Sequence, residues 1–408
     1  MIVSSGHDRG ILAAALSLVG LGVLMVYSAT AVMAMKSRGG ELAFLIRHVQ
    51  SVLVGLMAMT VFMFMDYRHL RKAATPLLVI SFILLLLVFN GEIGVSANGA
   101  RRWIRLWPST FQPSELAKLA YVIFLADYMS KPLDIHIEMK LNAAHALRRK
   151  MGHPVTGFLV PVGIMALFQL TIILQPDFGA FVSFAIIGLA LLFAGGVRGR
   201  YFMLLSPIAA AAIYMLVQTP YRMLRLTSFM DPWKDEYGSG YQLVQSLLSF
   251  GNGGITGVGL GEGPQKLFFL PEAHTDFIFS MLGEELGLIG ALGVVILFLV
   301  ILVRGMRLTF TAEDSFGRYL ALGLTLMIVL QALLNVAVAT GLLPTKGLPL
   351  PFVSYGGSSM LVSLSAAGIL MSISRGQRYN RSSSGSLPAD LRGSLRSSTY
   401  ARTPDVAK

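Results

Sequence analysis

The stretch that decides the fold is "LGLIGALGVVILFLVILV", Leu286 to Val303, which runs for 18 residues without a charge. At 1.5 Å per residue a helix of this length spans about 27 Å, close to the roughly 30 Å hydrocarbon core of a bilayer. The stretch therefore predicts a transmembrane helix. Just before it, "LPEAHTDFIFSMLGEE", Leu270 to Glu285, places a histidine, an aspartate and three glutamates where ionisable groups are costly.

The composition extends this prediction to the whole chain. Of the 408 residues 54% are hydrophobic and only 13% are charged, against about 25% charged residues in soluble domains. Apolar runs of about 20 residues recur along the sequence, each long enough for one membrane helix. We expect an all-α, polytopic membrane protein with ten transmembrane helices, near 11–34, 45–65, 72–90, 113–130, 155–174, 178–196, 201–218, 275–303, 317–341 and 356–374.

The positive charges predict the orientation of these helices. An even number of spans puts both termini on one side, and most of the 33 lysines and arginines then fall into connections that would be cytoplasmic. Both termini are therefore expected in the cytoplasm. The basic residues left on the outer side need another reason, and an anionic ligand is the obvious candidate. A nucleic-acid partner is not expected, because no folded basic domain is present.

Two segments are longer than simple connectors. Residues 219–274 form a large outer loop between helices 7 and 8, with the glycine-rich run "GNGGITGVGLGEG" at its centre. This run lacks the spacing of a phosphate-binding loop, so we predict a flexible re-entrant or surface loop. Residues 377–408 are rich in serine and arginine and predict a disordered cytoplasmic tail after a ten-helix domain at 1–376.

The outer segment "NGARRWIRLWPSTFQPSELAKLA", residues 98–120, is a candidate site. Arg101 and Arg102 flank Trp103, although lipid headgroups and the interfacial aromatic belt also account for such residues. Lys118 lies inside the next apolar helix, one turn after Glu115. An ionisable residue within a span is a functional candidate, with a carboxylate as its expected partner.

A second candidate lies between the last two spans, in "GLLPTKGLPLPFVSYGGSS". Its lysine and hydroxyl groups belong to Lys346, Ser354, Tyr355 and Ser358, and a plain tight turn is the alternative reading. Small residues that open a helix leave backbone N–H groups free for an anion. In the short outer turn "LQPDFGA", by contrast, Asp177 is expected to be a helix cap rather than a catalyst.

Asp276 is the third candidate. We expect a helix from Thr275 that places Asp276 in its first turn, with Glu284 on the same face about 12 Å away. Glu284 and Glu285 would then mark the outer interface of the membrane. A carboxylate above that interface can serve as a general base or as a helix cap, and the residues alone leave both readings open.

These motifs together resemble the SEDS family (shape, elongation, division and sporulation), the ten-span proteins FtsW and RodA. The resemblance runs from about residue 10 to residue 378, and its strings look more like the division member FtsW. Pro349 departs from the threonine expected there in many FtsW sequences. The segments that match the family are "NGARRWI", "QPSELAKLA", "QPDFG", "LPEAHTDFIFSMLGEELG" and "LPTKGLPLPFVSYGGSS".

The resemblance implies a peptidoglycan glycosyltransferase that polymerises lipid II at the periplasmic face of the bacterial inner membrane, at the division septum. Asp276 matches the essential aspartate of the family and would be the general base. Developing charge on the leaving undecaprenyl pyrophosphate would be met by outer cations. By this resemblance the predicted substrate-binding residues are Arg101, Arg102, Trp103, Glu115, Lys118, His274, Lys346, Ser354, Tyr355 and Ser358.

The resemblance also implies partners. These are a cognate class B penicillin-binding protein, an FtsI-type transpeptidase, and other membrane proteins of the divisome. A divalent cation, Mg²⁺ or Mn²⁺, is associated with the family, although the sequence shows no dedicated metal ligands. A lipid II flippase and a non-catalytic divisome scaffold are the alternative functions. A flippase should carry polar or broken helices near the membrane midplane, whereas the polar groups here crowd the outer edge.

Overall fold

The computed structural model describes residues 7–36, 43–97, 100–106, 109–131, 151, 153–266 and 270–385. The chain is helical almost throughout these ranges. Residues Pro154–Leu159 form a short π-helical turn that leads directly into a longer helix. The α-helices are α1 Arg9–Lys36, α2 Ala43–Phe64, α3 His69–Leu87, α4 Pro113–Ser130, α5 Val160–Leu174, α6 Phe178–Ala194, α7 Gly199–Val217, α8 Pro220–Met230, α9 Tyr241–Gly253, α10 Ile278–Thr311, α11 Ser315–Ala339 and α12 Gly357–Gly385.

Each of the ten predicted spans coincides with one of these helices, so the helical fold class is confirmed. In the described part of the chain, seven helices are long and apolar enough to cross a membrane. These are α1, α2, α3, α5 with its π-helical turn, α10, α11 and α12, while α6 is a shorter apolar helix. Ten crossings and cytoplasmic termini stay predictions. The large loop between the seventh and eighth spans contains α8 and α9.

A small antiparallel sheet, which the sequence did not predict, follows α3. Its strands are β1 Gly94–Ala97, β2 Ala100–Leu106 and β3 Ser109–Phe111, in the order β1-β2-β3. Trp103 on β2 faces Val95 of β1 across the ladder. The sheet holds the arginine-rich segment in an extended conformation at the entrance of α4.

The helices enclose two apolar cores. One core is shared by α1, α2, α10, α11 and α12, and the other lies among α3, α4, α5 and α6. α11 and α4 pack against each other and join the two. Of the described helices, α2 and α12 pack together most extensively, and a β-carbon on Gly368 would lie 2.4 Å from the carbonyl oxygen of Met59. Glycine at that position lets the two backbones touch.

α10 is broken at Gly287, whose backbone adopts φ 65° and ψ −165°. The glycine-rich run lies beside this break and bonds to it. The N–H of Val258 donates to the carbonyl of Glu284 at 3.0 Å, and the N–H of Leu288 donates to the carbonyl of Gly254 at 2.9 Å. The run therefore replaces the hydrogen bonds that the break removes from the helix. The predicted surface loop is present, because most of residues 251–263 are exposed, but its backbone is hydrogen-bonded to α10.

The two adjacent glutamates of α10 are buried, which the sequence did not predict. Glu284 and Glu285 are fully buried inside the bundle, and their place at the outer interface of the membrane stays a prediction. The hydroxyl of Ser28 on α1 donates to Glu285, and the amide of Asn252 in the glycine-rich run reaches Glu284 at 3.4 Å. These contacts replace part of the hydration that burial removes.

The last helix, α12, continues to Gly385, beyond residue 376 where we placed the end of the membrane domain. Residues 386–408 lie outside the described residues. A disordered tail stays a prediction for them.

Candidate active site

Asp276 lies in a tight turn that precedes α10, not in the first turn of that helix. Glu272 adopts a left-handed conformation with φ 55°, and its carbonyl accepts the N–H groups of Thr275, Asp276 and Phe277. α10 begins at Ile278, and no side chain caps it. The predicted start of the helix at Thr275 was wrong, and Asp276 neither caps α10 nor shares a helical face with Glu284.

Contacts from α11 and from the segment before α12 hold this turn. The amide of Asn335 on α11 donates to the carbonyl of Asp276 at 2.8 Å and to that of Leu348 at 2.7 Å. The hydroxyl of Ser354 donates to the carbonyl of Thr275 at 2.6 Å. The segment before α12 and the segment before α10 are thus tied together, which fixes where Asp276 stands.

Asp276 faces a cavity of about 950 Å³ at one end of the helix bundle. The wall is formed by β2, the starts of α2, α6 and α12, the helix α8 and the two tied segments. Among the described residues, five cationic side chains and three carboxylates line it, which gives this lining a net positive charge. These side chains are Arg47, Arg102, Arg222, Arg225, Lys346, Asp177, Glu272 and Asp276.

The environment of Asp276 changes its acidity. Burial raises the pKa of its carboxyl to about 7, from an ordinary value of 3.8, and repulsion by Glu272 and Asp177 acts in the same direction. Arg102 and Arg225 oppose the rise in pKa without cancelling it. A carboxyl with a pKa near neutrality can accept and return a proton at physiological pH.

Gly347 makes room for the carboxylate of Asp276. A β-carbon on Gly347 would lie 2.9 Å from its Oδ2 atom. Only a residue without a side chain lets the carboxylate lie this close to the backbone after Lys346.

The cations opposite Asp276 are fixed by contacts of their own. Lys346 and Arg222 lie 4.7 Å and 5.7 Å from the centre of the Phe178 ring, and burial lowers the pKa of Lys346. Arg225 donates to the carbonyl of Thr345 at 3.2 Å. Arg102 donates to the backbone carbonyl of Pro176. These cations are therefore held in place by contacts within the protein, an arrangement that is able to bind an anion.

Six of the predicted site residues line the cavity: Arg102, Trp103, Asp276, Lys346, Tyr355 and Ser358. Arg101 is exposed on the sheet and does not line the cavity. Ser354 and His274 lie behind the wall, in the tied segments. Arg47, Arg222, Arg225 and Glu272 were not singled out from the sequence, although Glu272 stands in the same polar stretch as Asp276.

Lys118 and Glu115 form a buried pair behind the wall. The ammonium of Lys118 lies 2.8 Å from Glu115 and donates to the amide oxygen of Gln331 at 2.7 Å. The amide nitrogen of Gln331 donates in turn to the carbonyl of Pro349, which lines the cavity. This pair supports the wall and is not part of its lining. The predicted ion pair between Lys118 and Glu115 is present. Lys118 could contact a substrate only if the wall of the cavity opened.

Asp177 caps α6, as predicted, by accepting the N–H of Ala180 at 3.0 Å. It also accepts a hydrogen bond from Gln112 at 2.9 Å and lines the cavity. Among the described residues, no three His, Asp or Glu side chains are grouped so that they could hold an ion by themselves.

Comparison with known proteins gives consistent matches along the chain. A family model described as "Cell cycle protein", that of FtsW, RodA and SpoVE, matches residues 9–379. The probable peptidoglycan glycosyltransferase FtsW of Geobacter sp. strain M18 is 44% identical over 374 residues, which are 91% of this chain and 98% of that protein. The protein of the same description from Legionella pneumophila is 40% identical over 377 residues, covering 91% and 92% of the two chains.

Solved structures are similar as well. A chain from a peptidoglycan synthase complex, studied for the coordination of polymerization and crosslinking, aligns with a TM-score of 0.72 at 28% identity, over 91% of this chain and 98% of that one. The rod shape determining protein RodA of Thermus thermophilus aligns with a TM-score of 0.63 at 25% identity, over 91% and 97% of the two chains.

Proposed function

The chain belongs to the FtsW/RodA/SpoVE family of cell cycle proteins, and from this premise we propose that it is a peptidoglycan glycosyltransferase. The resemblance to the SEDS family is thereby confirmed. Relatives at 40–44% identity carry this activity in their names and are of the FtsW type. In the proposed reaction the chain polymerises lipid II into glycan strands at the periplasmic face of the inner membrane during cell division.

The observation that carries the proposal is Asp276 in a cavity lined with cations. Glycosyl transfer needs a base for the attacking hydroxyl and positive charge for the leaving group. Asp276, with its pKa near 7, and the four cations Arg102, Arg222, Arg225 and Lys346 supply both in one space.

In the proposed reaction Asp276 removes the proton of the 4-hydroxyl of the acceptor GlcNAc. The oxygen then attacks the anomeric carbon of the donor MurNAc and forms the new glycosidic bond. The bond from that carbon to the pyrophosphate oxygen breaks, and its electron pair leaves with undecaprenyl pyrophosphate. The proton stays on Asp276 until solvent removes it. The acid–base step accounts for about 10²–10⁴ of the rate, by analogy with positioned bases in general.

Location and partners follow from the same proposal. The apolar helices support a multi-pass membrane protein, and we place it in the inner membrane at the division septum. The similarity to a chain of a peptidoglycan synthase complex supports a cognate penicillin-binding protein as partner, of the FtsI type. Such a transpeptidase would crosslink the strands that this chain makes.

Purified protein, with and without its cognate transpeptidase, tests the proposal when it is supplied with fluorescent lipid II. We expect glycan strands from the unchanged protein and none from Asp276→Asn. Thr340→Val is a suitable control, because among the described residues the Thr340 hydroxyl bonds only to carbonyls at the end of α11. Full polymerisation by Asp276→Asn would refute the role of this residue. Movement of lipid II across vesicles without any product would favour a flippase, and recruitment of partners without either activity would favour a scaffold.

A further inference from the structure

His48 on α2 is a buried polar side chain that has no role in the proposed reaction. It is only 1% exposed, yet it lines the cavity. Neither of its ring nitrogens has a hydrogen-bond partner among the described residues. A buried polar group without a partner costs about 1–3 kcal/mol, and such groups in native proteins call for a specific explanation. A ligand that accepts a hydrogen bond from the ring would provide one.

The start of α12 opens onto the same wall. Gly356, Gly357, Ser358 and Ser359 all line the cavity, and α12 runs for 29 residues. The N–H groups of a first helical turn have no acceptor within their own helix, and the helix dipole adds positive potential there. Two glycines leave this backbone accessible to a ligand. An anion is the ligand that such an arrangement prefers.

Contacts between α2 and the segment before α12 hold these groups together. The ring of Tyr355 lies 5.8 Å from that of His48. Burial raises the pKa of the Tyr355 hydroxyl, and the nearby charge of Arg47 opposes that rise. The backbone N–H of Tyr355 donates to the carbonyl of His274 at 2.9 Å, two residues before Asp276. Arg47 therefore supplies a full positive charge near the His48 ring, and the cluster is linked to the turn that carries Asp276.

These groups are distinct from the other cations of the cavity. Lys346 and Arg222 are held against Phe178 at the start of α6, and Arg225 is held by the carbonyl of Thr345. The cavity thus has two positive regions built from different helices. The proposed reaction brings two polyprenyl pyrophosphates together, one on the donor and one on the acceptor, so a single anion site would not hold both.

We propose that Arg47, His48 and the first turn of α12 form a second anion subsite, which binds the pyrophosphate of a polyprenyl-linked ligand. This inference rests on the proposed function, and it assigns that chemistry to residues on α2. A ring N–H of His48 donates to a phosphate oxygen, Arg47 neutralises charge, and the N–H groups of α12 complete the shell.

Binding to the full chain in phosphatidylcholine nanodiscs tests the subsite. Every variant also carries Asp276→Asn, so that lipid II stays unreacted. The probes are lipid II, undecaprenyl pyrophosphate and uncharged undecaprenol. We expect His48→Phe and Arg47→Gln to weaken binding of a pyrophosphate probe by about 10-fold, the scale of one charge-assisted hydrogen bond. His48→Gln keeps an N–H donor and should stay within about 3-fold.

His69→Phe is the matched control, because His69 is exposed at the opposite end of the bundle.

Weaker binding of lipid II alone assigns the subsite to a bound substrate, and weaker binding of undecaprenyl pyrophosphate alone assigns it to the leaving group. Both results support the subsite. Unchanged binding of both probes by His48→Phe and Arg47→Gln, at unchanged melting temperature, overturns it. An equal loss of undecaprenol binding also overturns it, since the variants would then affect binding of the polyprenyl tail and not of the anion. Polymerisation retained by Asp276→Asn would instead count against the proposed catalytic base.

Discussion

The side-chain amide of Asn335, near the end of α11, donates a hydrogen bond of 2.8 Å to the backbone carbonyl of Asp276. The same nitrogen donates to Leu348 at 2.7 Å, so one side chain joins the turn that carries Asp276 to the segment that carries Lys346. The position of the proposed base thus depends on a residue 59 positions away along the chain.

Asn335→Leu should lower both stability and activity. The substitution leaves two carbonyls without their donor, at a cost of about 1–3 kcal/mol for each buried group. We expect a lower melting temperature and a fall in polymerisation larger than the loss of folded protein explains. Thr340→Val near the end of the same helix should change neither. Normal polymerisation by Asn335→Leu would show that the hydrogen bonds of Asn335 to Asp276 and Leu348 are dispensable.

Gly347→Ala should impair catalysis with little effect on folding. Its methyl group would lie 2.9 Å from the Oδ2 atom of Asp276, and the carboxylate would have to move. A displacement of about 1 Å can cost 10²-fold in rate. The rate constant at saturating lipid II is the measurement. Gly91→Ala, with open space around the new methyl group, is the control. A rate equal to that of the control would contradict the steric argument.

The rate of polymerisation should rise with pH through about 7. Asp276 acts as a base only when ionised, and burial raises the pKa of its carboxyl to about 7. The pH–rate profile of the unchanged protein between pH 5.5 and 8.5 should therefore show one ionisation near pH 7, with the deprotonated form active. A flat profile over this range would count against Asp276 as the rate-determining base.

The same pKa predicts a dependence of stability on pH. Because the folded-state pKa of Asp276 lies above its ordinary value of 3.8, the folded protein binds the proton more tightly than the unfolded chain. Stability from this group is fully present below about pH 4 and is lost as the pH rises through 7. Asp276→Asn should therefore melt higher than the unchanged protein at pH 8, with a smaller difference at pH 5. An equal difference at both pH values would refute this.

Gly257→Ala should destabilise the protein strongly. Its backbone has φ +83°, and a β-carbon would lie 2.2 Å from the carbonyl oxygen of Glu285 beside the break in α10. Strain and lost hydrogen bonds together should cost several kcal/mol. Gly251→Ala is the matched control, because it lies in α9 with open space and should be neutral or stabilising by up to about 1 kcal/mol. Tryptophan fluorescence on heating measures the melting temperature of both variants. Equal melting temperatures would show that the glycine-rich run is not packed against α10 in solution.

Lys118→Met should destabilise the protein by about 3–5 kcal/mol, because it leaves the buried carboxylate of Glu115 without its ion-pair partner. Adding Glu115→Gln should restore part of the melting temperature, since no buried charge then remains. If Lys118 acted by touching substrate instead, the double variant would stay inactive despite recovered stability. Lipid II polymerisation by the two variants at equal folded fraction separates these roles.

Some of the site could be read from the sequence and some could not. Asp276, Arg102, Trp103, Lys346, Tyr355 and Ser358 were predicted, because each stands in a short motif that combines polar groups with an apolar run. Arg47, His48, Arg222 and Arg225 were missed, because their neighbours in sequence give no sign of the cavity. Each becomes a wall residue only through packing between helices.

The sequence by itself determined the helical membrane architecture, because the length of an apolar run is a local property that suffices to predict a membrane helix. It also determined the motifs that mark the family. Only the tertiary structure decided that Glu284 and Glu285 are buried, that the glycine-rich run bridges a broken helix, and that Asp276 stands in a turn clamped by Asn335. Burial, hydrogen-bond partners and pKa values depend on segments that are remote in sequence and meet only in the folded chain.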